Sequence, residues 1–454
     1  MLQRIVSITD FGAEPSAGLQ TEKIQNAVDS CFRNGGGEVR VPEGVFLTGG
    51  IRLRSNVTLR LMKNAVLRGS RNPEDYFGYL ADKVEPLPPE MITDGPCGRV
   101  EFDQSPDYRF MRIPGSRWNN ALIRAINAEN VAIIGEEGAI LDGADCYDEQ
   151  GEEHYRGPHC ISMHRCRNIV LEGYAVKDSA NWAHALFHCE NIAARNLSAH
   201  AGHDGFHVTG CANVEIGNCE FYTGDDCVAG FANLNVLVKN CVLNSACSAL
   251  RFGGTNVLVE KCRMYGPCRH LFRGSLTVEE KKNGAEPALA GHRNNMLSAF
   301  TYYADYSVPI DYPPGNIVIA DCRIENADRL LHFNYSGNEP WQQNRPLESI
   351  RFERLAATGI AMPLVAYGAE KNPVTVEIRD ARIAFRDGCE QVSLIHACHY
   401  RRITLDHVAI ENRRGTPLIK TWSDGGIEIE DLECDDPADP RVARTEEEFR
   451  CGAI

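Results

Sequence analysis

Asparagine followed by a β-branched residue recurs along this chain at an almost constant step, and that beat limits the fold more than any other feature. The copies are Asn168-Ile169, Asn191-Ile192, Asn213-Val214, Asn235-Val236 and Asn256-Val257, separated by 23, 22, 22 and 21 residues. Outlying copies stand at Asn56-Val57, Asn130-Val131 and Asn316-Ile317. Cysteine keeps the same period: Cys166, Cys189 and Cys211 each precede the Asn by two, and Cys219, Cys241, Cys262 and Cys322 follow the apolar run. A repeat this short holds strands of about three to five residues and cannot bury its own apolar face, so each copy must stack on the next. The copies lack the helical half of an ankyrin repeat and the ladder of a leucine-rich repeat. The expected fold is all-β: a single right-handed parallel β-helix with coils of about 22 residues and aligned residues roughly 4.8 Å apart. The cysteine and asparagine columns are expected to point inward.

A solenoid must cover its open ends. Thr21 is placed to cap a short helix in which Ile24, Ala27, Val28, Cys31 and Phe32 share one face. Gly35-Gly36-Gly37 ends it, which makes it an N-terminal capping helix over the first coil. Residues 71–118 and 274–312 break the beat and read as loop insertions, and the tail is polar. No linker divides the chain, so 1–454 is expected to be one domain.

The formal charge of -15 argues against nucleic acid or an anionic membrane as partner, and no 18-residue apolar run marks a transmembrane helix. The start, MLQRIVSITDFGAEP, lacks the pattern of a secretory signal, so a cytoplasmic protein is expected. The 18 cysteines form no CxxC pair and read as reduced core thiols, with no metal site and no cofactor implied.

Stepping one coil from Asp204 in GHDGFHVTG lands on Asp225 and Asp226 in GDDC, at +21 and +22. On stacked coils the three carboxylates lie within several ångströms. Like charges held that closely push their pKa values apart, so one is expected to be protonated near neutral pH while its neighbours stay ionised. A glycosidase uses such a set, one carboxyl protonating the leaving oxygen and an ionised one activating water. A row of turn aspartates accounts for the spacing equally well, and a calcium site is a third reading, weakened by the lack of an obvious ligand ladder. Gly202 and Gly205 flanking His203-Asp204 read as tight-turn residues.

The opening DFGAEPSAGLQTEKIQNAVDSCFRNGGGEVRVPEGVFLTGG, together with ENVAIIGEEGAILDG and TGDDCVAG, resembles glycoside hydrolase family 28, the polygalacturonase family. The resemblance implies a right-handed parallel β-helix that cleaves glycosidic bonds with inversion. By position its three site aspartates fall on Asp204, Asp225 and Asp226, with Asp226 as the acid. This chain departs from the family pattern in three places. Gly202-His203-Asp204-Gly205 replaces Asn-Thr-Asp-Gly, Ala246-Cys247-Ser248 replaces Gly-His-Gly, and the family's Arg-Ile-Lys segment is not recognisable.

Sugar recognition is therefore assigned to other residues. His207, Arg251 and Arg273 are spaced by 44 and 22, as if stacked two coils and one coil apart, and two guanidinium groups could hold a carboxylate. Trp182 and His184 in NWAH sit one coil before the acids, where an aromatic can stack on a sugar or be a buried strand residue. His203, His270 and His292 complete the set of candidate substrate-binding residues. The expected activity is inverting hydrolysis of a uronate-containing or pectin-derived oligosaccharide. The alternatives are a β-helix lyase or epimerase, or a non-catalytic carbohydrate-binding β-helix.

Overall fold

The computed structural model describes residues 4–79, 117–151, 156–283, 291–304, 312–337, 345–435 and 441–445. Much of both expected insertions and of the tail (80–116, 284–290, 305–311, 436–440 and 446–454) lies outside the described residues. The fold is the expected all-β parallel β-helix. Two compact units are distinguished, one of the described residues up to Ala229 with Arg269–Arg293, the other Gly230–Cys268 and the residues from Asn294 onward.

In the first unit a coil is three short strands separated by corners. The strands His184–Phe187, Glu190–Arg195 and Ser198–Ala201 make one coil, and Phe206–Thr209, Ala212–Gly217 and Glu220–Thr223 the next. All three pairs run parallel, with Ala185 opposite His207, Ile192 opposite Val214 and Ala199 opposite Phe221. Alternate side chains point in, so Ile169, Ile192 and Val214 form one buried column and Val176, Ala199 and Phe221 another. The alternation is the strand period of two applied at each turn of the coil.

The asparagine column does not point inward. Asn130, Asn168, Asn191 and Asn213 sit exposed at a corner in the left-handed region, with φ between 55 and 57°. Each side-chain amide donates to the one before it, Asn168 to Asn130 at 2.9 Å, Asn191 to Asn168 at 3.0 Å and Asn213 to Asn191 at 3.0 Å. The recurring Asn is thus a corner residue, chosen because it tolerates positive φ and can extend an amide ladder. The cysteines are inward as expected. Cys166, Cys189 and Cys211 are buried, and the amides of Cys166 and Cys189 donate to the sulfur one coil on, at 3.4 and 3.3 Å. All described cysteines are free thiols.

The capping helix spans Thr21–Arg33 and packs on the strands Ile5–Ser7, Gly37–Val41 and Ile51–Arg52. Ile24, Ala27, Val28 and Cys31 are buried, whereas Phe32 is exposed and carries Arg54 over its ring at 5.7 Å. Thr21 is the first helical residue, not the cap: its hydroxyl accepts from the Gly49 amide at 2.7 Å, tying the helix to the chain after strand Gly44–Thr48.

In the second unit the corners soften and 12-residue strands run through them. Ser349–Ile360, Val374–Phe385 and Tyr400–Glu411 stack in parallel, each bending at a left-handed residue, Arg354, Asp380 and His407. The second expected insertion rejoins the coil earlier than the sequence suggests, in the strand Met296–Tyr302, which places Leu250 opposite Phe300 and Phe300 opposite Leu331. Tyr302 and Tyr303 are therefore core residues: the Tyr302 hydroxyl donates to the Pro346 carbonyl at 2.5 Å and Tyr303 meets Phe231 edge-on. Among the described residues no helix is long and apolar enough to cross a membrane.

Candidate active site

Two consecutive corners of the first unit carry the acids. One joins the strand Ser198–Ala201 to Phe206–Thr209 and holds Gly202-His203-Asp204-Gly205. The next follows Glu220–Thr223 and holds Gly224-Asp225-Asp226-Cys227. Backbone bonds lock one to the other: the Gly205 amide donates to the Asp226 carbonyl at 3.0 Å and Phe206 to Cys227 at 2.9 Å. From the coil before, the Ala183 amide donates to the Asp204 carbonyl at 2.8 Å. The Thr223 hydroxyl donates to the Asp225 carbonyl at 2.8 Å and stiffens the second corner.

The stacking brings Asp204, Asp225 and Asp226 together, with one carboxylate oxygen of each lying within 4.8 Å of the others. Asp204 and Asp226 are buried and Asp225 is half-exposed. Three oxygens that close could also hold a cation, the reading that the sequence alone ranked last. The cluster is the chemically charged feature that the 22-residue beat predicts.

His207 serves this cluster rather than a substrate. Its Nδ1 lies 2.8 Å from Asp204 Oδ2 and its Nε2 3.0 Å from the Thr209 hydroxyl, so both ring nitrogens are taken. The neutral tautomer with its proton on Nδ1 satisfies both bonds, donating to the carboxylate and accepting from Thr209. Trp182 covers the other side of the ring, stacked at 3.7 Å between centroids and 6° between planes. The Trp182 indole belongs to an aromatic cluster with Trp118 and Phe187 and is 4 % exposed, so its place is the buried one.

His184 is not a sugar ligand either. It is fully buried beneath the first acid corner, its Nδ1 donating to the Gly205 carbonyl at 2.8 Å and its Nε2 3.1 Å from the Tyr174 hydroxyl. All four residues of its strand are buried, the reason that alternation could not show which way His184 points. Burial drives its pKa down to about 4 and that of His159, on the coil below, to about 3.

These two neutral histidines link stability to pH. Unfolded, each takes up a proton near pH 6.5. Because burial depresses the folded value, their contribution is fully present above pH 6.5 and is lost as pH falls toward 4. Each adds a slope of about 1.4 kcal/mol per pH unit, or about 3 kcal/mol together between pH 6 and 5. Urea unfolding at pH 7, 6 and 5, above the carboxylate range, is expected to show that loss. A flat profile would contradict the neutral assignment.

The remaining expected ligands scatter. Arg273 is not stacked under Arg251. It starts a short turn, Arg273–Ser275, whose backbone amide donates to the Gly202 carbonyl at 2.8 Å, and its buried guanidinium pairs with Asp145. Burial lowers that guanidinium to about 10. Arg251 lies opposite Thr301, with its guanidinium over the Tyr303 ring at 4.0 Å. The step of 22 fails here because the strand that follows the coil of Arg251 arrives about 50 residues later. His292 pairs with Glu280 at 3.2 Å. His270 lines a separate cavity of about 420 Å³ together with Lys177, His200 and Arg269. His203 stays at the first acid corner, buried, with Phe272 edge-on to its ring at 6.1 Å. Gly202 and Gly205 have ordinary φ. A Cβ on Gly202 would lie 2.7 Å from the Arg273 Cβ, and one on Gly205 2.7 Å from the Cys227 carbonyl, so close packing is what requires them.

Sequence reading missed Arg156, Asn181 as a polar group in its own right, Tyr174 and Lys281. Asn181 keeps the beat, 22 residues before His203 and 44 before Asp225, whereas Arg156, Tyr174 and Lys281 belong to no recurring pattern.

The family model for glycosyl hydrolases family 28 matches residues 99–247, which include all three acids. A probable polygalacturonase of Vitis vinifera is 26% identical over 236 residues, 49% of this chain and 43% of that one. An exo-poly-alpha-D-galacturonosidase of Dickeya chrysanthemi is 24% identical over 255 residues, 50% of this chain and 41% of that one. The chain thus spans about two fifths of the length of these relatives. The structure of a hyperthermoactive exopolygalacturonase from Thermotoga maritima superposes with a TM-score of 0.63 at 19% identity, covering 95% of this chain and 91% of that one. That likeness speaks for the fold.

Proposed function

From its place as a divergent member of glycosyl hydrolase family 28, we propose that this chain hydrolyses glycosidic bonds in pectin-derived, uronate-containing oligosaccharides with inversion of configuration. The carboxylate cluster, with three acids inside 4.8 Å, carries the reading. In it, buried Asp226 protonates the leaving oxygen, while Asp204 and Asp225 hold and deprotonate the attacking water. The proton given to the leaving group is replaced by the one taken from water. His207 and Thr209 fix the orientation of Asp204, and His184 supports the corner through the Gly205 carbonyl. The relatives named for galacturonan cleavage support the substrate class.

The close spacing bears on stereochemistry. Inverting pairs commonly sit about 6.5–9.5 Å apart and retaining pairs about 5–5.5 Å. Here two bases share the water, so it need not fit between acid and base alone. Proton NMR of the first-formed anomer from an α-linked oligogalacturonide tests this directly. A β product is expected. An α product would make Asp204 or Asp225 a nucleophile and overturn the inverting assignment, and an unsaturated, ultraviolet-absorbing product would mark a lyase.

A further inference from the structure

The cavity of about 420 Å³ lies apart from the acids, none of which is among the residues that line it. It sits on the outer side of the third strand of three successive coils, Ile140–Asp142, Ala175–Lys177 and Ser198–Ala201. Ile140, Ala175 and Ser198 stand in register there, and so do Lys177 and His200. Leu141, Val176 and Ala199 between them are buried in the core, so the in-register set faces outward and floors the cavity. A segment from much later in the chain, Arg269-His270-Leu271, forms the wall. Floor and wall belong to the same compact unit.

The lining matches a sugar ring that carries an acid. Ala175 and Ser198 are small, which opens the floor, and Ile140 and Leu271 supply apolar surface. The rim is polar and mostly cationic or protonatable, with Lys177, His200, Arg269 and His270 against Asp178. In a chain of net charge -15 that is a local reversal of sign. Contacts within the protein hold these side chains in place. The exposed His200 ring stacks on Tyr222 at 4.8 Å and 26°, and Arg269 lies over the same Tyr222 ring at 4.9 Å. The Tyr222 hydroxyl in turn donates to Glu220 at 2.9 Å. Lys177 lies 3.4 Å from Asp178. His270 Nδ1 donates to the Leu271 carbonyl at 3.1 Å, which makes Nε2 the acceptor of the neutral ring. A ligand thus adds to an ordered lining. Cavities of about 300–1,000 Å³ hold small organic ligands. Here mixed donors and acceptors suit ring hydroxyls, and the guanidinium and ammonium suit a carboxylate.

We propose that this cavity is a second binding site, outside the acid cluster, for a single uronic acid residue. Its carboxylate is received at Arg269 and Lys177, and its hydroxyls at Ser198, His200 and His270. The choice of a uronic acid among sugar acids rests on the activity proposed above, whereas the cavity and its lining stand without it.

NMR of isotopically labelled histidine rings tests the proposal with three probes: D-galacturonate, D-galactose as the ring without the acid, and acetate as the acid without the ring. None has a glycosidic bond to hydrolyse, so binding is read apart from turnover. Galacturonate is expected to shift the His200 and His270 signals, identified by their loss in His200→Gln and His270→Gln. Its titration midpoint is expected to be about tenfold or more below those of galactose and acetate. Ser198→Tyr fills the floor and Arg269→Gln removes a charge. Each is expected to weaken galacturonate by about tenfold or more while thermal melting shows a folded chain. Shifts confined to His203 and His207 would place galacturonate at the acid corners alone and overturn the proposal. An equal response to galactose or acetate would overturn it too, as would undiminished binding in both variants. Failure to cleave any galacturonide, with the His200 and His270 response intact and lost in the variants, would remove the proposed activity and leave the second site standing.

Discussion

Asp226→Asn is expected to lower kcat on an oligogalacturonide by about 100- to 10,000-fold, the range a positioned general acid supplies. The amide keeps the shape of the side chain and cannot deliver a proton. It leaves untouched the bond from the Gly205 amide, because that bond uses the Asp226 backbone carbonyl. Stability separates a catalytic role from a structural one. As the general acid Asp226 carries its proton in the resting cluster, so an amide of the same shape keeps the charge of the cluster and is expected to leave the melting temperature near that of the wild type. A structural aspartate would behave in the opposite way, keeping activity in the molecules that still fold and losing melting temperature. Full activity in Asp226→Asn, measured by reducing-end release, would eliminate Asp226 as the acid. A substrate with a good leaving group refines the result: where no proton is needed for departure, the deficit of the variant is expected to shrink.

The acids could be read from the sequence because they repeat with the coil. A strict period converts residue number into position, and Asp204 and Asp226 stand 22 apart, as do Ala185 and His207 in the pairing of adjacent strands. The same rule misled at Arg251 and Arg273, also 22 apart. Between them the chain leaves the coil, and the register partner of Arg251 is Thr301. Periodicity also says nothing about direction at a corner. The Asn column and the Cys column share one beat, yet one is an exposed amide ladder and the other a buried row of thiols. His184 and His207 failed as sugar ligands for a related reason. Each lies in a strand buried at every position, so alternation could not show that His184 faces the core and that His207 spends both nitrogens on Asp204 and Thr209. Asn181 and His203 do keep the beat, 22 apart and with His203 22 before Asp225, whereas Arg156 and Lys281 stand outside any repeat.

Gly224→Ala is expected to cost about 100-fold in kcat with the overall fold retained. Gly224 opens the corner that carries Asp225 and Asp226, and a segment from beyond the next strands is laid directly across it. A Cβ at position 224 would overlap the Leu271 carbonyl and come within 2.5 Å of the Phe272 Cα. Both obstacles are backbone, so no side-chain rotation relieves them. The same segment is tied to the other acid corner, since the Arg273 amide donates to the Gly202 carbonyl and the Arg273 Cβ fills the space beside Gly202. One stretch, Leu271–Arg273, therefore clamps both acid corners, and each corner meets it with a glycine. A methyl group at 224 must either lift the clamp or displace the Asp225-Asp226 turn. Overpacking of this kind costs about 1–3 kcal/mol, and a shift of about 1 Å in a catalytic group costs about 100-fold in rate. Gly18→Ala provides the control, because a Cβ there meets nothing within 4 Å, and it is expected to leave both activity and melting temperature near wild type. If the acids work only when their separation is held, Gly224→Ala loses far more activity than its lowered melting temperature accounts for at assay temperature. Equal behaviour of the two variants would show that the clamp does not set the geometry of the acids.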